Sequence, residues 1–143
     1  STPKPSSAAS DVYKRQIIII SYFISNKDIK NHTHFIKLKN SVCGDEIKLK
    51  LIINGNKITN IGYQTESCIY CQASASLLSK ISMNSKKVKI MKLCVEAKSF
   101  FNKDEKNLNK NLKLFSKLFV KKNLSRKDCI LLPFKAMKKI VSN

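Results

Sequence analysis

The chain has 143 residues, 43% of them hydrophobic and 26% charged, which suits one compact domain with a modest core, leaves little room for a second, and excludes a wholly disordered chain. Its net charge of +19 would ordinarily point to nucleic acid or another polyanion. After residue 16, however, Arg126 is the only arginine, although bidentate recognition of bases and phosphates favours that side chain; lysine, asparagine and isoleucine share A/T-rich codons, a low-GC genome accounts for the excess, and no nucleic-acid partner is expected.

Ser6–Gln16 reads SSAASDVYKRQ, a string that looks like the in-frame translation of a transposase sequencing adapter. Residues 1–16 are therefore set apart from the fold, and residues 17–143 are read as a single domain whose native N-terminus is missing. The apolar run Ile17–Ile24 is far too short for a bilayer span, which needs about 20 residues. No small-residue cleavage site follows it, so it reads as the remains of a packed helix. Neither membrane insertion nor export is expected. The five cysteines then read as thiols in a reducing, cytoplasmic compartment, available to metal or sulfur.

Thr33–Lys39 alternates weakly and predicts a strand leading into a cysteine loop, Ser41–Asp45. Ile47, Leu49 and Leu51 alternate with Lys48 and Lys50, the period-2 pattern of a half-buried strand. Asn54–Gly55 supplies a hairpin turn, with both residues expected at positive φ as in type I′. Ile58 and Ile61 carry the returning strand to about Glu66. From Gln72, just after Cys71, Ala73, Ala75, Leu77, Leu78 and Ile81 recur at helical spacing. Such a helix would aim its free N–H groups and positive dipole end at the Cys68 loop, an environment that favours thiolate. A second helix is predicted over residues 85–101 with Val88, Met91, Leu93, Val95 and Phe100 as its apolar set. Residues 102–111 are polar and read as a loop, and Leu112, Phe115, Leu118 and Phe119 suggest a short helix. Cys129 leads into a last helix with Pro133 in its first turn and Phe134, Met137 and Ile140 on one face. No internal repeat is visible.

Three cysteines thus fall at element junctions: Cys43 before a strand, Cys68 after one, Cys129 before the last helix. Junction loops meet at one end of a small α+β fold, so the three can converge although they lie far apart in sequence. Asp45, two residues past Cys43, adds a hard oxygen donor. Three thiolates and a carboxylate fill a tetrahedral zinc shell, or hold iron while a cluster is built. Spacing alone is weak support, because scattered cysteines are more often small buried hydrophobes.

The residues around these positions carry more. Asn-Ser-Val-Cys-Gly-Asp at 40–45, Cys-Ile-Tyr-Cys-Gln-Ala-Ser-Ala-Ser at 68–76 and Arg-Lys-Asp-Cys at 126–129 resemble the three signature stretches of the NifU/IscU/SufU scaffold family, over about Thr33 to Val141. The resemblance implies an α+β fold: a small antiparallel three-stranded sheet with helices packed on one face. It implies Cys43, Asp45, Cys68 and Cys129 as ligands of zinc or an iron–sulfur cluster. A cysteine desulfurase is the implied sulfur donor, with a downstream scaffold or apo iron–sulfur proteins as recipients. IscU-type members have a histidine immediately before the last cysteine and a shorter interval between the second and third. Here Asp128 holds that place and the interval is long, so the chain looks more like the SufU branch. In that branch zinc holds the site and a cysteine accepts persulfide sulfur, a sulfurtransferase activity rather than that of a classical enzyme. Cys129 is then the expected acceptor and Arg126 the residue that stabilises its thiolate or persulfide. The alternative from another class is a structural zinc module with no sulfur chemistry.

Cys71 departs from the family pattern, which has a small residue there; it makes a Cys-x-x-Cys with Cys68 but is expected to be an extra thiol rather than a redox partner. On the resemblance, the family's first helix is expected to be missing as well. Cys94, between Leu93 and Val95, reads as a buried structural thiol. His32 and His34 read as solvated loop histidines, and Lys138–Lys139 as a solvated helix face suited to the helix dipole. No Ser–His–Asp set, phosphate-cradling glycine loop or paired-carboxylate site is present, so hydrolytic catalysis is not expected.

Overall fold

The computed structural model describes residues 28–102 and 108–142. The adapter-like stretch, residues 17–24 and residues 103–107 of the polar segment 102–111 lie outside the described residues.

Strands β1 (His34–Lys39), β2 (Glu46–Asn54), β3 (Lys57–Glu66) and the two-residue β4 (Ser85–Lys86) form one antiparallel meander in the order β1-β2-β3-β4. The fold class is α+β as expected, with four strands instead of three. The extra strand comes from residues read as the start of the second helix: Asn84 adopts φ 61° and donates its N–H to the Ile58 carbonyl at 2.8 Å, which draws Ser85 and Lys86 onto the edge of β3.

Period 2 holds in β2, where Ile47, Leu49 and Leu51 are buried and their neighbours are not. The hairpin turn is displaced by one residue from its predicted place. Asn54 pairs with Lys57, so Gly55 and Asn56 are the central residues, and only Gly55 has positive φ, at 62°. A glycine first and an ordinary residue second is the demand of a type II′ turn, not type I′.

Helix α1 (Ile69–Ser82) starts directly at Cys68, its N-cap, three residues before the predicted start, so Cys71 lies in the first turn and is fully buried. Helix α2 (Lys87–Asn102) buries Ile90, Leu93, Cys94, Ala97, Phe100 and Phe101. This is the i, i+3, i+4, i+7 stripe of an amphipathic helix, and it leaves Val88 and Val95 of the predicted apolar set exposed. Leu112, Phe115, Leu118 and Phe119 are all buried, held by a short 3₁₀ segment at Lys110–Phe115. A second 3₁₀ segment, Lys121–Arg126, runs into helix α3 (Lys127–Val141).

Pro133 lies in the interior of α3, not in its first turn, because the helix begins ahead of Cys129. A proline there has no N–H for the carbonyl four residues earlier, which is that of Cys129. Phe134, Met137 and Ile140 are buried on the predicted face. Phe100, Phe101, Phe115, Phe119 and Phe134 stack with ring centroids 5.0–5.8 Å apart, closing the core between α2, α3 and the 3₁₀ segments. No helix of the described residues is long and apolar enough to cross a membrane.

Candidate metal centre

Each candidate ligand is placed by its local backbone. The β1–β2 connection is pinned by Asn40, whose N–H donates to the Asp45 carbonyl at 2.7 Å and whose own carbonyl accepts from Gly44 N–H at 2.8 Å. The Asn40 side chain accepts from Val42 N–H at 2.9 Å. Gly44 turns at φ 78°, a left-handed conformation that costs glycine nothing. The loop leaves Cys43 exposed, while Asp45 is buried at 8% exposure.

Cys68 caps α1, and its backbone N–H donates to Asp45 Oδ1 at 3.3 Å. Cys129 sits in the first turn of α3 at 5% exposure. The two helices are held close by the small residues of the Ala-Ser-Ala-Ser block: Ala73, Ser74, Ala75 and Ser76 are all buried. Ser74 donates its hydroxyl across the interface to the Ile130 carbonyl at 2.6 Å, and Ser76 bonds the Tyr63 hydroxyl at 2.7 Å. The residue next to Cys129 is thereby tied to the helix that Cys68 begins.

The outcome is a cluster. One donor atom from each of Cys43, Asp45 and Cys129 lies within 4.8 Å of the others, with the two sulfurs 3.7 Å apart. The Cys68 thiol adjoins that of Cys129 but stands outside this mutual set. Three of the four predicted ligands are therefore brought together, with the fourth at the edge. Asp45 Oδ2 is buried and has no hydrogen-bond partner. A carboxylate oxygen in that state costs free energy unless a cation meets it. Two sulfurs, one carboxylate and an unsatisfied anionic oxygen form a donor set suited to a borderline-soft divalent ion such as zinc or iron. Burial pushes the Cys129 thiol far above its ordinary pKa, and the adjacent Asp45 carboxylate and Cys68 thiol push the same way, because an anion placed there would face other acids with no cation to offset it.

The other candidates separate from the cluster. Arg126 is exposed and lays its guanidinium over the Tyr70 ring, 5.5 Å from the centroid. Nothing in the sequence singles out Tyr70, in the first turn of α1, and the interleaved small residues Ser74 and Ser76 do not reveal which carbonyl a serine will find. Cys71 and Cys94 are both buried, and burial raises each thiol to about 12. His32 packs at 5.9 Å against Phe35 and the His34 ring bonds Thr33 Oγ1 at 2.8 Å; neither joins the cluster.

Both the sequence and the fold are similar to those of known proteins. The NifU-like N-terminal domain family matches residues 23–100, and the chain belongs to that family. An uncharacterized protein of Borreliella burgdorferi is 35% identical over 127 residues, covering 87% of this chain and 86% of its own. The iron–sulfur cluster assembly scaffold protein IscU of Thermotoga maritima is 33% identical over 103 residues, covering 70% of each chain. The zinc-dependent sulfurtransferase SufU of Bacillus subtilis is 30% identical over 71 residues, covering 49% of this chain and 48% of its own. Among solved structures, a candidate iron–sulfur cluster assembly scaffold protein for the SUF system from Fervidobacterium islandicum superposes with a TM-score of 0.77 at 23% identity, covering 87% of this chain and 93% of its own. That last likeness establishes a shared fold.

Proposed function

We propose that the chain is an iron–sulfur cluster assembly protein that accepts sulfur from a cysteine desulfurase in the cytoplasm and passes it to a downstream scaffold or to apo iron–sulfur proteins. The observation that carries this reading is the convergence of Cys43, Asp45 and Cys129 within 4.8 Å around a buried carboxylate oxygen with no partner, in a NifU-like chain. Cys68, at the edge of the cluster, is the fourth ligand in this reading. A bound zinc ion would keep the thiols deprotonated near neutral pH.

Cys129 is the proposed acceptor. Its thiolate attacks the outer sulfur of the desulfurase persulfide; a new S–S bond forms on Cys129, the donor S–S bond breaks, and the donor cysteine leaves as thiolate. Arg126, the N-cap of the helix that carries Cys129, is proposed as a positioning residue for the incoming donor; its plane is steadied by Tyr70. Exposure of Cys43 favours chemistry over a purely structural zinc site, whose ligands are ordinarily closed off.

Purified protein, with its metal content measured, should stimulate desulfurase turnover, and Cys129→Ala should abolish persulfide formation on the chain while Arg126→Gln lowers it without metal loss. No stimulation by the wild type, or full stimulation by Cys129→Ala, refutes the relay. A second reading, a cluster scaffold proper, is favoured by the 70% coverage of the Thermotoga maritima scaffold. It predicts an oxygen-sensitive visible absorption after anaerobic reconstitution with iron and sulfide, lost in Cys43→Ala.

A further inference from the structure

Away from the cysteine cluster, the C-terminal half of α3 forms one wall of a cavity of about 500 Å³ that also takes in the end of β1 and Lys98 of α2. Five lysines surround it: Lys39, Lys98, Lys135, Lys138 and Lys139. No carboxylate lines it, and none of the five makes an ion pair among the described residues, where the ion pairs are Lys37–Glu46 and Lys50–Asp28. Leu38 and Leu132 give it an apolar floor. Five like charges around one concavity, with no carboxylate among them, raise the local positive potential and favour an anionic occupant. The volume lies within the usual range for a ligand site.

The kind of anion follows from the donors. A phosphate group is ordinarily held by arginine forks, glycine-rich backbone N–H groups or the start of a helix. Here the lining has no arginine and no glycine, and α3 presents its last turn, whose carbonyls disfavour a compact anion. Lysines on long stems, spread around an apolar floor, instead suit several separate carboxylates flanking an aliphatic side chain.

We infer that this cavity docks an acidic segment of a partner protein, with carboxylates on the lysines and an aliphatic residue on Leu38 and Leu132. The inference rests on the proposed function in one respect, the meaning of its location. Asn40 and Ser41 form part of the cavity wall, and Asn40 is the residue whose backbone pins Gly44 and Asp45. A segment seated there lies against the loop that carries Cys43, so the partner is one that gives or takes sulfur at that loop.

The test uses the full chain and a fluorescein-labelled Glu-Glu-Leu-Glu-Glu peptide, followed by anisotropy at low and physiological salt. Lys135→Gln/Lys139→Gln should weaken binding about five-fold, the effect of losing two exposed ion pairs. Lys57→Gln/Lys80→Gln removes the same charge from exposed positions outside the cavity and should change binding less than two-fold. Equal weakening by both pairs overturns the inference, since the peptide then reads only net charge. A Glu-Glu-Gly-Glu-Glu peptide that binds as well overturns the role of the apolar floor. Displacement of the peptide by inorganic pyrophosphate at lower concentration than by unlabelled peptide makes this a small-anion site and overturns it too. None of these readouts involves metal, desulfurase or persulfide. Loss of peptide discrimination with Cys129 chemistry intact fails this inference alone; the converse fails the sulfur reading alone.

Discussion

Replacing Asp45 by asparagine should move the stability of the metal-free protein and its metal affinity in opposite directions. In the folded chain Oδ1 accepts the Cys68 N–H at 3.3 Å, and a carboxamide oxygen can do the same. Oδ2 is buried with no partner, beside thiols that are poor donors. An unsatisfied buried polar group costs about 1–3 kcal/mol, more when charged. Neutralising it recovers part of that, about 1 kcal/mol, because the new NH₂ group finds only weak sulfur acceptors. For a domain of this length that is a rise in Tm of about 4 °C in the presence of a chelator. Metal binding loses an anionic ligand, and removal even of groups that merely orient ligands costs about 10- to 100-fold; a fall at the upper end of that range is expected. Thermal unfolding followed by circular dichroism in EDTA gives the first quantity, and competition with a chromophoric zinc chelator gives the second. A metal-free variant that melts several degrees lower, with zinc affinity unchanged, would refute the reasoning: the carboxylate would then be satisfied by the protein itself.

Three further expectations rest on packing and burial. Ser74→Ala removes the 2.6 Å bond to the Ile130 carbonyl and should destabilise the fold by about 1 kcal/mol, read as a lower urea midpoint with unchanged slope. Phe134→Ala empties the centre of the aromatic cluster and should cost about 3–5 kcal/mol, enough to abolish cooperative unfolding in a marginal domain. Above about pH 9 the unfolded chain ionises Cys71 and Cys94, whereas burial holds the folded thiols near 12. The unfolded state then binds fewer protons, so stability should be intact below pH 9 and fall as pH rises toward 12. The slope is about 1.4 kcal/mol per pH unit for each thiol. Cys71→Ser/Cys94→Ala should flatten that decline in denaturation curves taken across the range, and an unchanged slope would sink the assignment.

The sheet was legible because its signals are local. Alternation in Ile47–Leu51 follows from one buried face, and glycine at 55 marks the turn even though the register falls one residue later. What sequence missed depended on long-range partners. Nothing near Asn84 announces that its N–H will reach the Ile58 carbonyl at the edge of β3, so the sequence pattern extends the helix over β4. The apolar set chosen for α2 mixed Val88 and Val95 with Leu93, and only burial against α3 and the 3₁₀ segments separates the stripe from the exposed valines. At the site, the order of the Cys-Gly-Asp, Ala-Ser-Ala-Ser and Arg-x-x-Cys blocks singles out Cys43, Asp45, Cys68 and Cys129, and the fold brings Cys43, Asp45 and Cys129 within 4.8 Å of one another. Their geometry was not legible: Cys68 at the edge of the cluster and Arg126 on Tyr70 depend on side-chain directions that spacing does not encode.

The backbone also gives Cys129 and Cys43 unequal positions. Cys129 is in the first turn of a helix anchored one residue later through Ser74, so its sulfur is fixed and shielded. Cys43 is on a loop that turns at Gly44, where a Cβ would meet nothing within 4 Å, and it is exposed. A donor approaching from solvent finds Cys43 exposed and Cys129 buried. Three hydrogen bonds on Asn40 hold the β1–β2 loop that carries Cys43, and the lysine cavity shares Asn40 and Ser41 with the same loop. On the proposed function, then, the acceptor sulfur is the shielded one of the pair, and a segment docked among the lysines lies against the loop that bears its exposed neighbour.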